Sequence, residues 1–291
     1  MRLPILNIKQ FQNSSEDHFY ANIFSKHLVE NHHSITTPHK HDFYLSVLFT
    51  HGSGTHEIDF NSYLIEKGAL FFLKPGQTHN WYLSEDIEGY IFFHSKSYYD
   101  LHYSSKSVVD FPFFYSSQNS PYLLLNIDQS SKIEILFQSI LQEFQQDNLM
   151  QHQKIKSLID ILYIDIARWC VGNRLQDVSQ SSSYVLKTHQ LENLIEQHYL
   201  TDKLASTYAE WMHMTPKHLN RITKTTLGKT TSELIIERVL LEAKRMLVHS
   251  ENQLTDIADH LGFSDYAYFS RVFKSKTGEN PSDFQKRYHQ G

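Results

Sequence analysis

The stretch LTDIADHLGFSDYAYFSRVFKSKTGENPSDFQKRYH, residues 254–289, reads as a helix, a tight turn and a second helix with cations on its exposed face. Gly262 stands where the first helix must stop, because a left-handed cap strongly favours a residue without Cβ. Ser264 is placed to cap the second helix. On that helix Phe269, Val272 and Phe273 recur at helical spacing on one side, while Tyr266, Ser270, Arg271 and Lys274 point elsewhere. Gly278 ends it, and Asn280-Pro281 caps and opens another. This is the pattern of a helix-turn-helix, whose second helix lies in the major groove of DNA. A packed helical hairpin with merely solvated charges shares the same periodicity.

Upstream, LKTHQLENLIEQHY (186–199) reads as an opening helix, and Thr201 or Asp202 is placed to cap DKLASTYAEWM. The turn HMTP leads into PKHLNRITKTTLG (216–228), with Thr215 as N-cap, Pro216 at the first helical position and Gly228 as terminator. Leu219 and Ile222 face inward; Lys217, His218, Asn220, Arg221 and Lys224 are outward or flanking. This is a second helix-turn-helix. Between the two, SELIIERVLLEAKRMLVH (232–249) reads as one helix about 25 Å long. With the flanking helix radii, it can hold two recognition helices roughly 34 Å apart, one DNA turn.

Residues 186–289 resemble the DNA-binding region of the arabinose-regulator (AraC/XylS) family of bacterial transcription factors. Ile257, Ala258, Leu261, Gly262, Phe263, Ser264, Asp265, Tyr268, Phe269, Ser270, Arg271, Phe273, Lys274, Gly278, Pro281 and Phe284 carry the resemblance. Ala267 departs from the usual serine and Asn280 from the usual threonine. In the first half Thr223 replaces an aromatic, and Trp211-Met212 replaces a small helix-turn sequence. The resemblance implies a sequence-specific regulator, usually an activator, whose partner is double-stranded promoter DNA and for which contact with RNA polymerase is left open. Side-chain chemistry then assigns roles. Arg221 and Arg271 suit bidentate contacts to guanine, and Asn220 or His218 a base edge. Lys224 and Lys274 suit phosphate contacts and Tyr266 a thymine methyl or a phosphate, while Lys217 and Ser270 join the set as outward-facing candidates.

The chain of 291 residues carries a net charge of −5, which by itself argues against nucleic acid. The charge is unevenly spread: residues 184–291 hold 14 Lys/Arg against 13 Asp/Glu, so the acidity sits in the rest of the chain. A single cysteine, Cys170, excludes an internal disulfide and suits a reducing compartment. With no signal peptide and no membrane span, the expectation is a cytoplasmic protein.

From Phe43 to Ser95 short alternating segments are punctuated by turns, as in a β-barrel or sandwich. FYLSVLF (43–49) puts Phe43, Leu45, Val47 and Phe49 on one face, and Asn61-Ser62 is placed to reverse the chain. His39-x-His41, then Gly68, Pro75-Gly76 and His79, resemble the two motifs of a cupin barrel. Three imidazoles are a plausible metal set. The carboxylate expected after the second histidine is replaced by Leu45 and Ser46, so neither metal nor cofactor is predicted. The barrel mouth instead suits a small-molecule effector, with His39, His41, Tyr44, His79 and Trp81 as candidate lining; a filled core is the alternative.

Two helices follow. Residues 154–170 carry a second apolar side, Ile161 and Ile164, beyond the core stripe, which suits either a second copy of the chain or further packing within the monomer. The expected architecture is therefore α+β and multidomain. A cupin-like sensing domain (1–131) leads to a helical dimerisation segment (132–170), a Ser-rich linker (171–184) and an all-α domain of two helix-turn-helix units (185–291). The competing readings are a metal-dependent cupin enzyme with a helical accessory domain and a helical protein-interaction module.

Overall fold

The computed structural model describes residues 4–11, 18–35, 37–101, 107–115, 120–171, 178–250 and 252–289. The described residues divide into two compact units, 4–171 and 178–289.

The N-terminal unit opens with β1 (Ile5–Leu6), β2 (Phe19–Ile23), α1 (Phe24–Ile35) and β3 (Lys40–His41). There follow β4 (Tyr44–His51), β5 (Gly54–Ile58), β6 (Asn61–Ile65), β7 (Ala69–Leu73), β8 (His79–Leu83) and β9 (Glu88–His94). It closes with α2 (Lys96–Asp100), α3 (Pro112–Tyr115), β10 (Tyr122–Leu124), α4 (Ile127–Phe144) and α5 (Gln151–Val171). The expected barrel takes the form of a five-stranded antiparallel sheet, β10-β7-β4-β9-β2, and a three-stranded one, β6-β5-β8. Reversal between β5 and β6 occurs at Asp59 and Phe60, both left-handed (φ 47° and 69°), so Asn61 and Ser62 already belong to β6.

Strand β4 explains the layering. Leu45, Val47 and Phe49 join Phe43, Ile58, Phe71 and Phe93 in the core between the sheets, because side chains two apart share a face. Tyr44 and Leu48 point the other way, into a second core with Phe72, Phe92 and the helix residues Ile133, Phe137, Ile159 and Tyr163. Helices α4 and α5 thus cover the outer face of the five-stranded sheet. A buried polar bridge fixes them there: the Tyr163 hydroxyl lies 2.9 Å from His94 Nε2 and 3.3 Å from Ser46 Oγ.

The C-terminal unit is all helical: α6 (Val178–His198), α7 (Ala205–Trp211), α8 (Pro216–Leu227), α9 (Thr231–His249), α10 (Leu254–His260), α11 (Tyr266–Thr277) and α12 (Pro281–His289). Of the expected linker, Val171 ends α5 and residues 178–184 are helical, while 172–177 lie outside the described residues. Helix α9 opens with a capping box, Thr230 Oγ1 accepting from Glu233 N–H while the Glu233 carboxylate accepts from Thr230 N–H. Arg238 ties α9 to α6. Its guanidinium meets the Glu196 carboxylate in a two-bond fork (2.6 and 2.8 Å) and stacks 3.9 Å from the Tyr199 ring centre. Among the described residues no helix is long and apolar enough to cross a membrane.

Candidate DNA interface and effector core

The two helix-turn-helix units share one backbone plan. In the first, Met214 N–H donates to Ala209 O and His213 N–H to Glu210 O; in the second, Phe263 N–H donates to Ala258 O and Gly262 N–H to Asp259 O. His213 (φ 52°) thus occupies the left-handed position that Gly262 (φ 71°) fills in the second unit. Both second helices start on a side-chain cap, Thr215 Oγ1 accepting from His218 N–H and Asp265 Oδ1 from Tyr268 N–H. The cap is Asp265 rather than the expected Ser264, whose hydroxyl instead donates to the Asp265 carboxylate. The second turn is one residue longer. Helix α7 starts at Ala205 without a side-chain cap, so neither Thr201 nor Asp202 performs that role.

The equivalent positions differ instructively. Phe273 of α11 packs edge-on against Phe284 of α12, 5.6 Å between ring centres. Its counterpart in α8, Thr223, is fully buried and donates to Asn220 O. Asn220 Oδ1 in turn accepts from Thr231 N–H at the start of α9. The carboxamide oxygen of Asn220 thus joins α8 to α9, where the other half uses aromatic packing, and its NH2 group is the part suited to a base edge.

The remaining candidate residues fall on two helix surfaces. Lys217, Arg221 and Lys224 are exposed on α8, and Arg271 and Lys274 on α11; His218, Tyr266 and Ser270 are half-buried. Thr215, Lys217, His218, Asn220, Arg221, Lys224 and Thr225 line one open concavity of about 610 Å³. Arg271 lies 6.0 Å from the centre of the Tyr268 ring. Tyr268, which in the sequence carries only the family resemblance, is exposed beside it.

In the N-terminal unit the structure gathers His39, His41, His79 and Trp81 and adds His56. His39 and His79 meet through a backbone bridge with both N–H···O bonds formed (3.2 and 3.0 Å). Their rings lie 4.4 Å apart, His41 is 5.1 Å from His79, and Trp81 is 4.8 Å from it. His56 joins because β5 pairs with β8, placing it opposite Trp81, with Nε2 3.0 Å from His79 Nδ1. Tyr44 is not part of the cluster. It sits on the helix-facing side of β4, stacked on His94 and edge-on to Phe114.

Burial keeps these rings neutral. It pushes His41, helped by the charge of His39, down to about 3, and lowers His56 and His79 well below the usual imidazole value. His39 Nδ1 donates to Thr37 O and His41 Nδ1 to Phe43 O. A carbonyl only accepts, so each Nε2 presents a lone pair. His41 Nε2, His56 Nδ1, His79 Nε2, Trp81 Nε1, Thr78 Oγ1 and Asn80 Oδ1 are buried without a hydrogen-bond partner among the described residues. No group of three His, Cys, Asp or Glu side chains there is placed to hold a metal ion.

Two helix-turn-helix units joined by one helix, behind a separate β-rich unit, define a class: transcription regulators that read DNA with one domain and bind a ligand with the other. Comparisons agree. Residues 208–287 match a helix-turn-helix domain family and residues 27–96 an AraC-like ligand binding domain. The chain is 24% identical to the uncharacterized HTH-type transcriptional regulator YfiF of Bacillus subtilis (strain 168), over 89% of this chain and 82% of that protein. It is 20% identical to the HTH-type transcriptional activator RhaR of Enterobacter sp. (strain 638), over 92% and 94% respectively. The solved structure of ToxT from Vibrio cholerae aligns over 92% of this chain and 98% of its own, with 14% identity and a TM-score of 0.44. The chain belongs to the AraC family of transcriptional regulators.

Proposed function

We propose that this regulator binds promoter DNA through α8 and α11 in two successive major-groove segments, and that a small-molecule effector bound in the β-rich unit controls it. The observation that carries the DNA reading is the repeated backbone plan with Arg221 and Arg271 exposed at equivalent positions on the two helices. Each guanidinium has the fork geometry for guanine O6 and N7, whereas Lys217, Lys224 and Lys274 suit phosphates. His218, Tyr266 and Ser270 contribute at the edges of the two surfaces.

The effector reading rests on the unpaired polar atoms around His41, His56, His79 and Trp81. A buried unsatisfied donor or acceptor costs about 1–3 kcal/mol, so a ligand offering hydroxyl or carbonyl groups would recover part of that cost. Activation is the direction suggested by the relatives named as activators, and contact with RNA polymerase follows from it. We further assign dimerisation to α4 and α5, and a cytoplasmic location. The metal-dependent enzyme reading is not favoured.

The test is DNA enrichment from the protein's own genome, followed by gel-shift titration on the enriched site. Arg271→Ala should lose discrimination worth about 1–3 kcal/mol at one base pair, while Lys274→Ala should weaken all sequences alike and flatten the salt dependence by about one phosphate. Unchanged discrimination for Arg271→Ala would overturn the assignment of α11.

A further inference from the structure

Both halves of the helical unit pack on α9: α6, α7 and α8 from the first, α10 and α12 from the second. A second, direct tie runs beside that rod. The loop between α6 and α7 reaches the turn of the second helix-turn-helix, where Lys203 Nζ donates to Leu200 O and Gly262 O, each at 3.1 Å. The ammonium also lies 5.3 Å from the centre of the Phe263 ring. The two carbonyls belong to different halves, and each lies just past the C-terminal end of a helix, α6 and α10. Helix C-termini carry partial negative charge, so a cation between two of them is attracted to both.

Gly262 makes the approach possible. A Cβ there would stand 2.4 Å from Leu200 O and 2.8 Å from Lys203 Nζ, in addition to the strain of a side chain at φ 71°. The turn is thus shaped to receive the loop of the other half.

We propose that Lys203 is a positioning residue that locks α8 and α11 at one separation and angle, so that DNA affinity depends on the spacing between the two boxes they read. This rests on the reading that both helices contact DNA. In its absence the packing on α9, with the Lys276–Glu233 ion pair (3.9 Å), would hold the second unit less tightly, leaving it a wider range of angles about the rod.

The experiment compares wild type, Lys203→Met and Lys203→Arg on the enriched operator with zero, one or two base pairs inserted between the boxes. Methionine keeps an apolar stem over Phe263 and removes the donors; arginine keeps donors and charge. Two base pairs rotate the second box by about 70°. Wild type should lose roughly tenfold or more in affinity on that insertion, Lys203→Met should flatten the profile to within about threefold, and Lys203→Arg should restore it. A methionine variant that binds more weakly at every spacing by one common factor would overturn the proposal. Spin-label distances between positions 225 and 275, in a Cys170→Ser background without DNA, separate the two readings. If replacing either box leaves wild-type binding unchanged, twin reading fails while a broader distance distribution in Lys203→Met still supports the lock. Equal widths in wild type and Lys203→Met overturn the lock itself.

Discussion

At residue scale, the two helix-turn-helix units solve the same local problems with different side chains. Thr223 and Asn220 replace the packing that Phe273 provides in the other half, exchanging non-directional burial for hydrogen bonds that need fixed geometry. His213 is the costlier exchange. A side chain in the left-handed region is disfavoured by roughly 1–2 kcal/mol, whereas glycine at that position pays part of this back through the greater freedom of the unfolded chain. His213 is exposed and sits in the turn rather than on α8. His213→Gly should therefore raise the stability of the helical unit by about 0.5–1 kcal/mol and leave DNA discrimination intact. Thermal unfolding followed by circular dichroism measures this; a fall in the midpoint would mean that His213 makes a contact worth more than its backbone strain.

At the scale of elements, legibility followed punctuation. Helices α8 and α11 were readable because Thr215-Pro216, Gly228, Gly262, Gly278 and Asn280-Pro281 mark their ends with residues whose backbone preferences are narrow. Strand β4 was readable because Phe43, Leu45, Val47 and Phe49 alternate. The same alternation assigns Tyr44 to the opposite face, so its inclusion with the histidines followed nearness in sequence where strand geometry demanded separation. His56 was invisible for a different reason: its place depends on the pairing of β5 with β8, a long-range register that no local pattern records. The Ser-rich start of α6 misled because composition suggested a linker where the chain is helical. The apolar surplus expected of α5 includes Ile161, and α4 adds Ile135, which the sequence pattern does not single out. The inner faces of the two helices bury Ile133, Phe137, Ile159 and Leu162, while Ile135 and Ile161 remain 61% and 49% exposed. If that surplus is the dimer seam, Ile135→Glu/Ile161→Glu should convert dimer to monomer in sedimentation equilibrium without lowering the thermal midpoint. A dimer that survives both changes would move the seam elsewhere.

At the scale of the whole molecule, the two units are held by different chemistry and should respond differently to acid. The N-terminal unit buries His27, His41, His56, His79 and His94, whereas no described histidine of the helical unit is fully buried. Burial, together with the charge of His39, pushes His27 and His41 down to about 3; burial pushes His94 down to about 4. An unfolded chain titrates these rings near 6.5, so between that value and the folded ones the unfolded state binds more protons. The stabilisation is complete above about pH 6.5 and is lost as pH falls toward the folded values. From pH 7 to pH 5 each such ring removes about 2 kcal/mol. Three of them remove roughly 6 kcal/mol, a large share of the 5–15 kcal/mol typical of a domain. Acidification should therefore unfold the β-rich unit first, with Tyr163 losing its partner His94 and α5 losing its seat on the sheet, while α6–α12 stay folded. Amide hydrogen exchange of the full chain at pH 7, 6 and 5, corrected for the intrinsic pH dependence of exchange, resolves the two units. Protection lost from β4, β7 and β9 before α8, α9 and α11 is the expected order. Simultaneous loss, or a β-rich unit still protected at pH 4, would show that the buried imidazoles do not set the acid limit.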